Sequence, residues 1–231
     1  MNIIITGASK GIGRQAAISL SGDRKNKILA ISRTESLLLD LCGKAENNNI
    51  SYIAEDIIES LKSPEKLLKK VQSHFSTVDI LINNAGVLIS KPFREFSTDE
   101  IRLMTEIHFI SPLLLIKELF SLFRRGSHII NISSMGGFQG SSRYPGMSVY
   151  SAAKAALANL TESLASEYAD TGIAFNSLAL GAAQTEMLEE AFPGYKAPLT
   201  ADEMAGFVGW FALNGNKYFN GKILPVSVSN P

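Results

Sequence analysis

The chain has 231 residues, 45% of them apolar, which is enough for one α/β core. Its 22 basic and 22 acidic residues cancel, and no basic tract stands out, which argues against a nucleic-acid surface. The single cysteine, Cys42, excludes an intrachain disulfide, suits a reducing cytoplasmic setting, and is expected as a small buried apolar group on a helix. From Met1 onward there is no basic start with a long apolar run, as a secretory signal needs, and no run long enough to cross a membrane. His74, His108 and His128 lack the spacing of metal ligands, so no metal site is expected.

The predicted elements alternate along the chain. A first apolar run at 2–6 leads into Thr6-Gly7-Ala8-Ser9-Lys10-Gly11-Ile12-Gly13 and a helix. A second run, 27–32, ends at Ser32-Arg33, and a third, 50–54, is followed by Asp56-Ile57. Ser63 before Pro64 reads as a helix cap with proline at the first helical position. A fourth run, 79–83, leads into Asn84-Ala85-Gly86, and Ser97 with Glu100 forms a capping-box pattern. The apolar stripe at 113–123 reads as core or subunit interface. Runs at 128–133, 173–179 and 222–225 follow, with a second capping box at Thr200 and Glu203. Several runs are apolar on both faces, as buried parallel strands are. The pattern predicts one domain over 1–231: a parallel sheet of about seven strands covered by helices on both faces, in three layers.

The glycine-rich turn lies between a strand and a helix. Its glycines permit a tight turn and let backbone N–H groups approach a pyrophosphate, which then faces the helix N-terminus. This context predicts a dinucleotide site in a doubly wound, Rossmann-type sheet. Where the second strand ends, enzymes that prefer NAD place an acid for the ribose 2′-hydroxyl, whereas an arginine accommodates a 2′-phosphate. Arg33 therefore predicts NADP(H), with Lys10 as a second cation and no acid competing nearby.

The glycine spacing is T-G-x-x-x-G-x-G, and it is followed by Asn83-Asn84-Ala85-Gly86, Asn131-Ile132-Ser133-Ser134 and Tyr150-Ser151-Ala152-Ala153-Lys154. In this order and at these spacings the chain resembles the short-chain dehydrogenase/reductase family, and within it the bacterial β-ketoacyl carrier-protein reductases. The resemblance implies a carbonyl or alcohol substrate, a homo-oligomer, and a catalytic set of Ser134, Tyr150 and Lys154, with His108 at the fourth catalytic position. It also implies that Asp56 contacts adenine, although a loop-capping role reads almost as well. It implies that Gly181 approaches the nicotinamide and that Thr185 bonds its carboxamide, although Leu180 stands where the family has proline.

The chemistry has a physical basis. Tyr150 and Lys154 are four residues apart and share a helix face. A free tyrosine, with a pKa near about 10, is a poor base at neutral pH, and a nearby ammonium favours its phenolate. Tyr150 can then exchange a proton with a substrate oxygen while Ser134 positions that oxygen. Ser133 is the alternative to Ser134. The loop at 139–147 is expected to shape the substrate entrance, with Phe138, Tyr144 and Phe192 as pocket candidates.

His108 stands where the family carries an asparagine. Pro112, four residues on, has no N–H for the carbonyl of residue 108. By resemblance, that freed carbonyl holds a water reaching Lys154, and the side chain at 108 is not required. A second reading, a cofactor-binding regulatory protein with weak or lost catalysis, draws only on Leu180 and His108.

Overall fold

A computed structural model describes residues 1–228. Seven strands form a parallel sheet: β1 (Asn2–Thr6), β2 (Lys27–Ser32), β3 (Ile50–Ala54), β4 (Ile80–Asn83), β5 (His128–Ser134), β6 (Ala174–Leu180) and, after two short strands, β9 (Lys222–Val226). Their order is β3-β2-β1-β4-β5-β6-β9, so the direction of winding reverses between β1 and β4. In such a sheet ligands bind beyond the strand C-termini at that reversal. All seven match the predicted runs, with ends displaced by a residue at most.

Both faces of the sheet are buried. In β1, Ile3 and Ile5 join one core and Ile4 the other, all at 0% exposure. Burying an isoleucine side chain contributes about 1.5–3 kcal/mol, which is why these runs are not amphipathic. The first core is closed by α1 (Gly11–Ser21), α2 (Glu35–Gly43) and α9 (Ala201–Asn214). The second lies under α4 (Pro64–His74), α6 (Ser111–Leu119) and α7 (Ser148–Glu167). The stripe at 113–123 supplies Leu115, Ile116, Leu119 and Leu122 to this second core. Cys42 is only half-buried on α2, at the margin of the first core.

Both capping boxes form, at Ser97–Glu100 and Thr200–Glu203. Ser63 departs from expectation: Pro64 takes the first helical position, but the serine side chain makes no capping bond. Asp56 caps a short helix, α3 (Ile57–Ser60), accepting bonds from the N–H groups of Ile58 and Glu59. Between α5 (Thr98–Thr105) and α6 the chain takes one π-helical turn, Glu106–Ile110, closed by the Ser111 N–H on the Glu106 carbonyl. Near the C-terminus β7 (Ala183–Gln184) and β8 (Leu199–Thr200) pair, with α8 (Glu186–Ala191) between them. The outer strand β9 aligns Pro225 with Ala179 of β6. Among the described residues no helix is long and apolar enough to cross a membrane, and no group of residues could hold a metal ion.

Candidate active site

A cavity of about 710 Å³ opens at the C-terminal ends of β1, β4, β5 and β6. Its first wall is the turn after β1. Gly7 and Gly11 have φ of +67° and +54°, values other residues rarely adopt. A side chain on Gly7 would also begin 2.7 Å from the Ala85 Cα, so the turn can lie against the β4 loop only with glycine there. The Thr6 hydroxyl accepts the N–H groups of Asn84 (3.0 Å) and Ala85 (3.1 Å). The Asn84 side chain donates to the Thr6 and Gly7 carbonyls. Two loops that share no strand are thereby locked together.

Ser9, Lys10, Gly11 and Ile12 line the cavity. Gly13 does not; it packs against Asn84 and the Gly7 carbonyl, so its smallness serves the turn rather than the cavity. Helix α1 begins without a side-chain cap and without an acid in its first turn, leaving its leading N–H groups and positive end available to an anion.

Beyond the turn, Arg33, Asp56 and Ile57 line the far end, where the Ser9 and Ser32 hydroxyls meet at 2.7 Å. Arg33 is 70% exposed, and its guanidinium lies 3.6 Å from the Asp56 carboxylate. An acid therefore does neighbour Arg33. It follows β3 in sequence, and the parallel pairing of β2 with β3 brings it alongside.

The other end holds the remaining candidates. Asn84, Ala85, Gly86, His108, Ser134, Tyr150, Lys154, Gly181 and Thr185 all line it. Ser133 also borders the cavity but spends its hydroxyl on the Lys154 carbonyl at 2.9 Å. The Ser134 hydroxyl accepts the Gly136 N–H at 3.2 Å and lies close enough to the Tyr150 phenol to favour its ionised form. Lys154, 4% exposed, donates to the Ile132 carbonyl at 2.6 Å and stands 5.7 Å over the Tyr150 ring. Burial pushes its pKa down to about 7. Burial also raises the Tyr150 phenol, and the Ser134 hydroxyl opposes that rise. The expected lowering of Tyr150 by Lys154 is thus not found in the protein alone. The ammonium sits over the ring face, and its own burial disfavours its charge.

His108 is 1% exposed. Its Nε2–H donates to the Val87 carbonyl at 2.6 Å, while Nδ1 has no hydrogen-bond partner among the described residues. Burial first, and the Lys154 charge second, hold its pKa well below the usual histidine range, so the ring is neutral. Its side chain lines the cavity beside the Tyr150 ring.

Thr185 caps α8, accepting the Leu188 N–H at 3.2 Å. Tyr144 and Met147 from the loop at 139–147 border the cavity, as does Phe192, but Phe138 does not. Leu88, Ile107, Met187 and the acids Glu186 and Glu190 also border it. Leu88 follows the Asn84-Ala85-Gly86 turn after β4, whereas the others are marked by no motif, because only the packing of α8 and the π-turn against the site brings them there.

The description of short-chain dehydrogenases matches residues 1–196. An oxidoreductase of Thermotoga maritima is 34% identical over 196 residues, covering 80% of this chain and 73% of its own. A dehydrogenase/reductase from Sinorhizobium meliloti superposes with a TM-score of 0.85 at 25% identity, over 97% of this chain and 92% of its own. The protein ElxO, solved with NADP bound, superposes with a TM-score of 0.83 at 26% identity, over 97% and 96%. With the sheet order and the glycine turn in agreement, the chain belongs to the short-chain dehydrogenase family and is an oxidoreductase of that family.

Proposed function

We propose that the protein is an NADP(H)-dependent oxidoreductase that interconverts a carbonyl compound and a secondary alcohol, with Tyr150 as the acid and base. The observation that carries this reading is the convergence of Ser134, Tyr150 and Lys154 on one end of a cavity whose other end is a glycine-rich turn and an uncapped helix N-terminus. The uncapped N-terminus of α1 fits a diphosphate, and Arg33 with Lys10 fits a 2′-phosphate. ElxO, which binds NADP, supports the choice of cofactor.

The cofactor, when bound, supplies or accepts the hydride. The residues of this chain do the rest. Lys154 would hold the cofactor's nicotinamide ribose, and Thr185, whose hydroxyl keeps its own proton while accepting from Leu188, would hold its carboxamide. Ser134 donates to the substrate carbonyl oxygen and orients it. Tyr150 delivers a proton to that oxygen in reduction and removes it in oxidation. The apolar side chains around the site exclude water from the reacting carbon.

The test is NADPH oxidation with a panel of ketones, run beside a titration of NADPH binding. Turnover that needs a ketone is expected. Tight NADPH binding without turnover of any ketone would instead favour the regulatory reading.

A further inference from the structure

We infer that Glu186, at the start of α8, loosens the hold of the glycine-rich turn on the cofactor diphosphate and so speeds exchange of the cofactor. The inference rests on the dinucleotide site proposed above and adds a residue to it.

Three observations carry it. The first is position. The junction of β7 and α8 lies on the glycine-rich turn. From the point where a Gly11 side chain would begin, Thr185 Cγ2 is 3.3 Å away and Glu186 Oε2 is 3.9 Å away. Gly11 is the first residue of α1, whose N-terminus has no side-chain cap and no acid in its first turn. An acid carried by another element thus stands beside the helix end proposed to receive a diphosphate.

The second is charge. Four described acids line the cavity: Glu55, Asp56, Glu186 and Glu190. Glu55 pairs with Lys70, and Asp56 pairs with Arg33. Glu186 and Glu190 have no cation within 4 Å among the described residues, and Glu186 is the one printed on the turn by distance. Arg14, three residues after Gly11, is held by Asp40 at 2.5 Å. The Glu186 charge is therefore uncompensated, and a diphosphate at the start of α1 would share the turn with it. Like charges at such range repel even through water.

The third is how the segment is held. Thr185 accepts the Leu188 N–H at 3.2 Å, and Gln184 donates to Glu189 at 3.2 Å while accepting the Ala197 N–H at 2.9 Å. Glu189 also accepts the Gly194 N–H at 3.0 Å, and β7 pairs with β8 on the far side of the helix. These bonds fix the backbone of residue 186 against the turn. Rotation of its side chain moves the charge aside but does not remove it. An anion bound beside a fixed like charge leaves sooner, and the 2′-phosphate, assigned to the Arg33 end, is spared. Where product release limits turnover, a weaker hold raises the rate.

The test compares the wild type with Glu186→Gln and Glu186→Lys. The side chain is exposed and unpaired, so both variants should fold. Three ligands are used: NADPH; 2′-phospho-ADP-ribose, which keeps the diphosphate without the nicotinamide; and adenosine 2′-monophosphate, which has no diphosphate. Fluorescence titration of NADPH, and its displacement by the two fragments, give the affinities. NADPH and 2′-phospho-ADP-ribose should bind about three- to tenfold more tightly to Glu186→Gln, and more tightly again to Glu186→Lys. Adenosine 2′-monophosphate should change by less than about twofold, and added salt should narrow the differences. Dissociation of NADPH should slow by a factor similar to the gain in affinity. Affinities unchanged in both variants overturn the inference while leaving the cofactor reading intact. An equal gain for all three ligands places the effect away from the diphosphate and overturns it too. A gain carried wholly by faster association overturns the role in release. A wild type that binds none of the three overturns the cofactor reading, and the inference with it.

Discussion

The ring of His108 stands edge-on to the ring of Tyr150, with centroids 5.0 Å apart and planes at 84°. The same imidazole lies against Gly86, where an added side chain would begin 2.5 Å from its Cε1. Gly86→Ala is therefore expected to push the imidazole into Tyr150, costing about 1–3 kcal/mol of stability and lowering turnover. Adding His108→Ala opens the space that the methyl group needs, so the two costs should not add. Denaturant midpoints of the four proteins check this. Additivity within about 0.5 kcal/mol would mean that the two residues do not meet.

The π-turn before Pro112 concerns the backbone. Pro112→Ala restores an N–H that can close on the carbonyl of His108, so the helix should hold or gain stability while kcat falls severalfold. Melting temperature and kcat measured together check the split. Unchanged kcat would show that the freed carbonyl takes no part in the reaction.

Tyr150→Phe keeps the ring that packs on His108 and removes only the exchangeable proton. Turnover should fall by about 10²–10⁴-fold with NADPH affinity nearly unchanged, read by fluorescence titration and single-turnover rates. A variant retaining most of the wild-type rate would remove Tyr150 from the proton-donor role.

Arg33 governs cofactor choice in this reading. NADPH should bind more tightly than NADH, and Arg33→Asp should flatten or reverse that order. The neighbouring Asp56, 3.6 Å from the guanidinium, makes the preference smaller than a lone arginine would give. Equal wild-type affinities for the two cofactors, by calorimetry, would refute the assignment.

Lys154 links the site to stability. Burial lowers its pKa from 10.5 to about 7, so between those values the unfolded chain binds the proton and the folded chain does not. Stability of the protein without cofactor should therefore rise with pH from about 7 towards 10, by at most about 1.4 kcal/mol per pH unit. Below about 7 this contribution stays at its minimum. Lys154→Met should flatten that slope, which thermal melts across the range would reveal. An unchanged slope in the variant would place its origin elsewhere.

Much of this was legible in the residues. The strands were, because burial on both faces leaves runs such as Ile3-Ile4-Ile5 that no exposed element tolerates. The capping boxes were, because they are local hydrogen bonds between residues three apart. The glycine turn was, since its φ values are written in residue type. The π-turn was not: Pro112 announces a lost hydrogen bond but not which carbonyls re-pair. The Arg33–Asp56 contact was not, because it depends on which strands lie side by side. The acids of α8 were not, because their place at the cavity depends on tertiary docking and no spacing rule encodes it.

Proline 225 has a consequence at the rim of the sheet. The Val226 carbonyl accepts the Gly181 N–H, so alternate residues of β9 turn their backbone groups inward to β6 and Pro225 turns outward. At that outward position there is no N–H to offer. Another strand laid along this edge would meet a missing rung midway, whether it came from a misfolded neighbour or from a second molecule. The exposed border of the sheet therefore ends its own growth, and the protein gains protection from edge-to-edge aggregation where an open parallel sheet is most vulnerable.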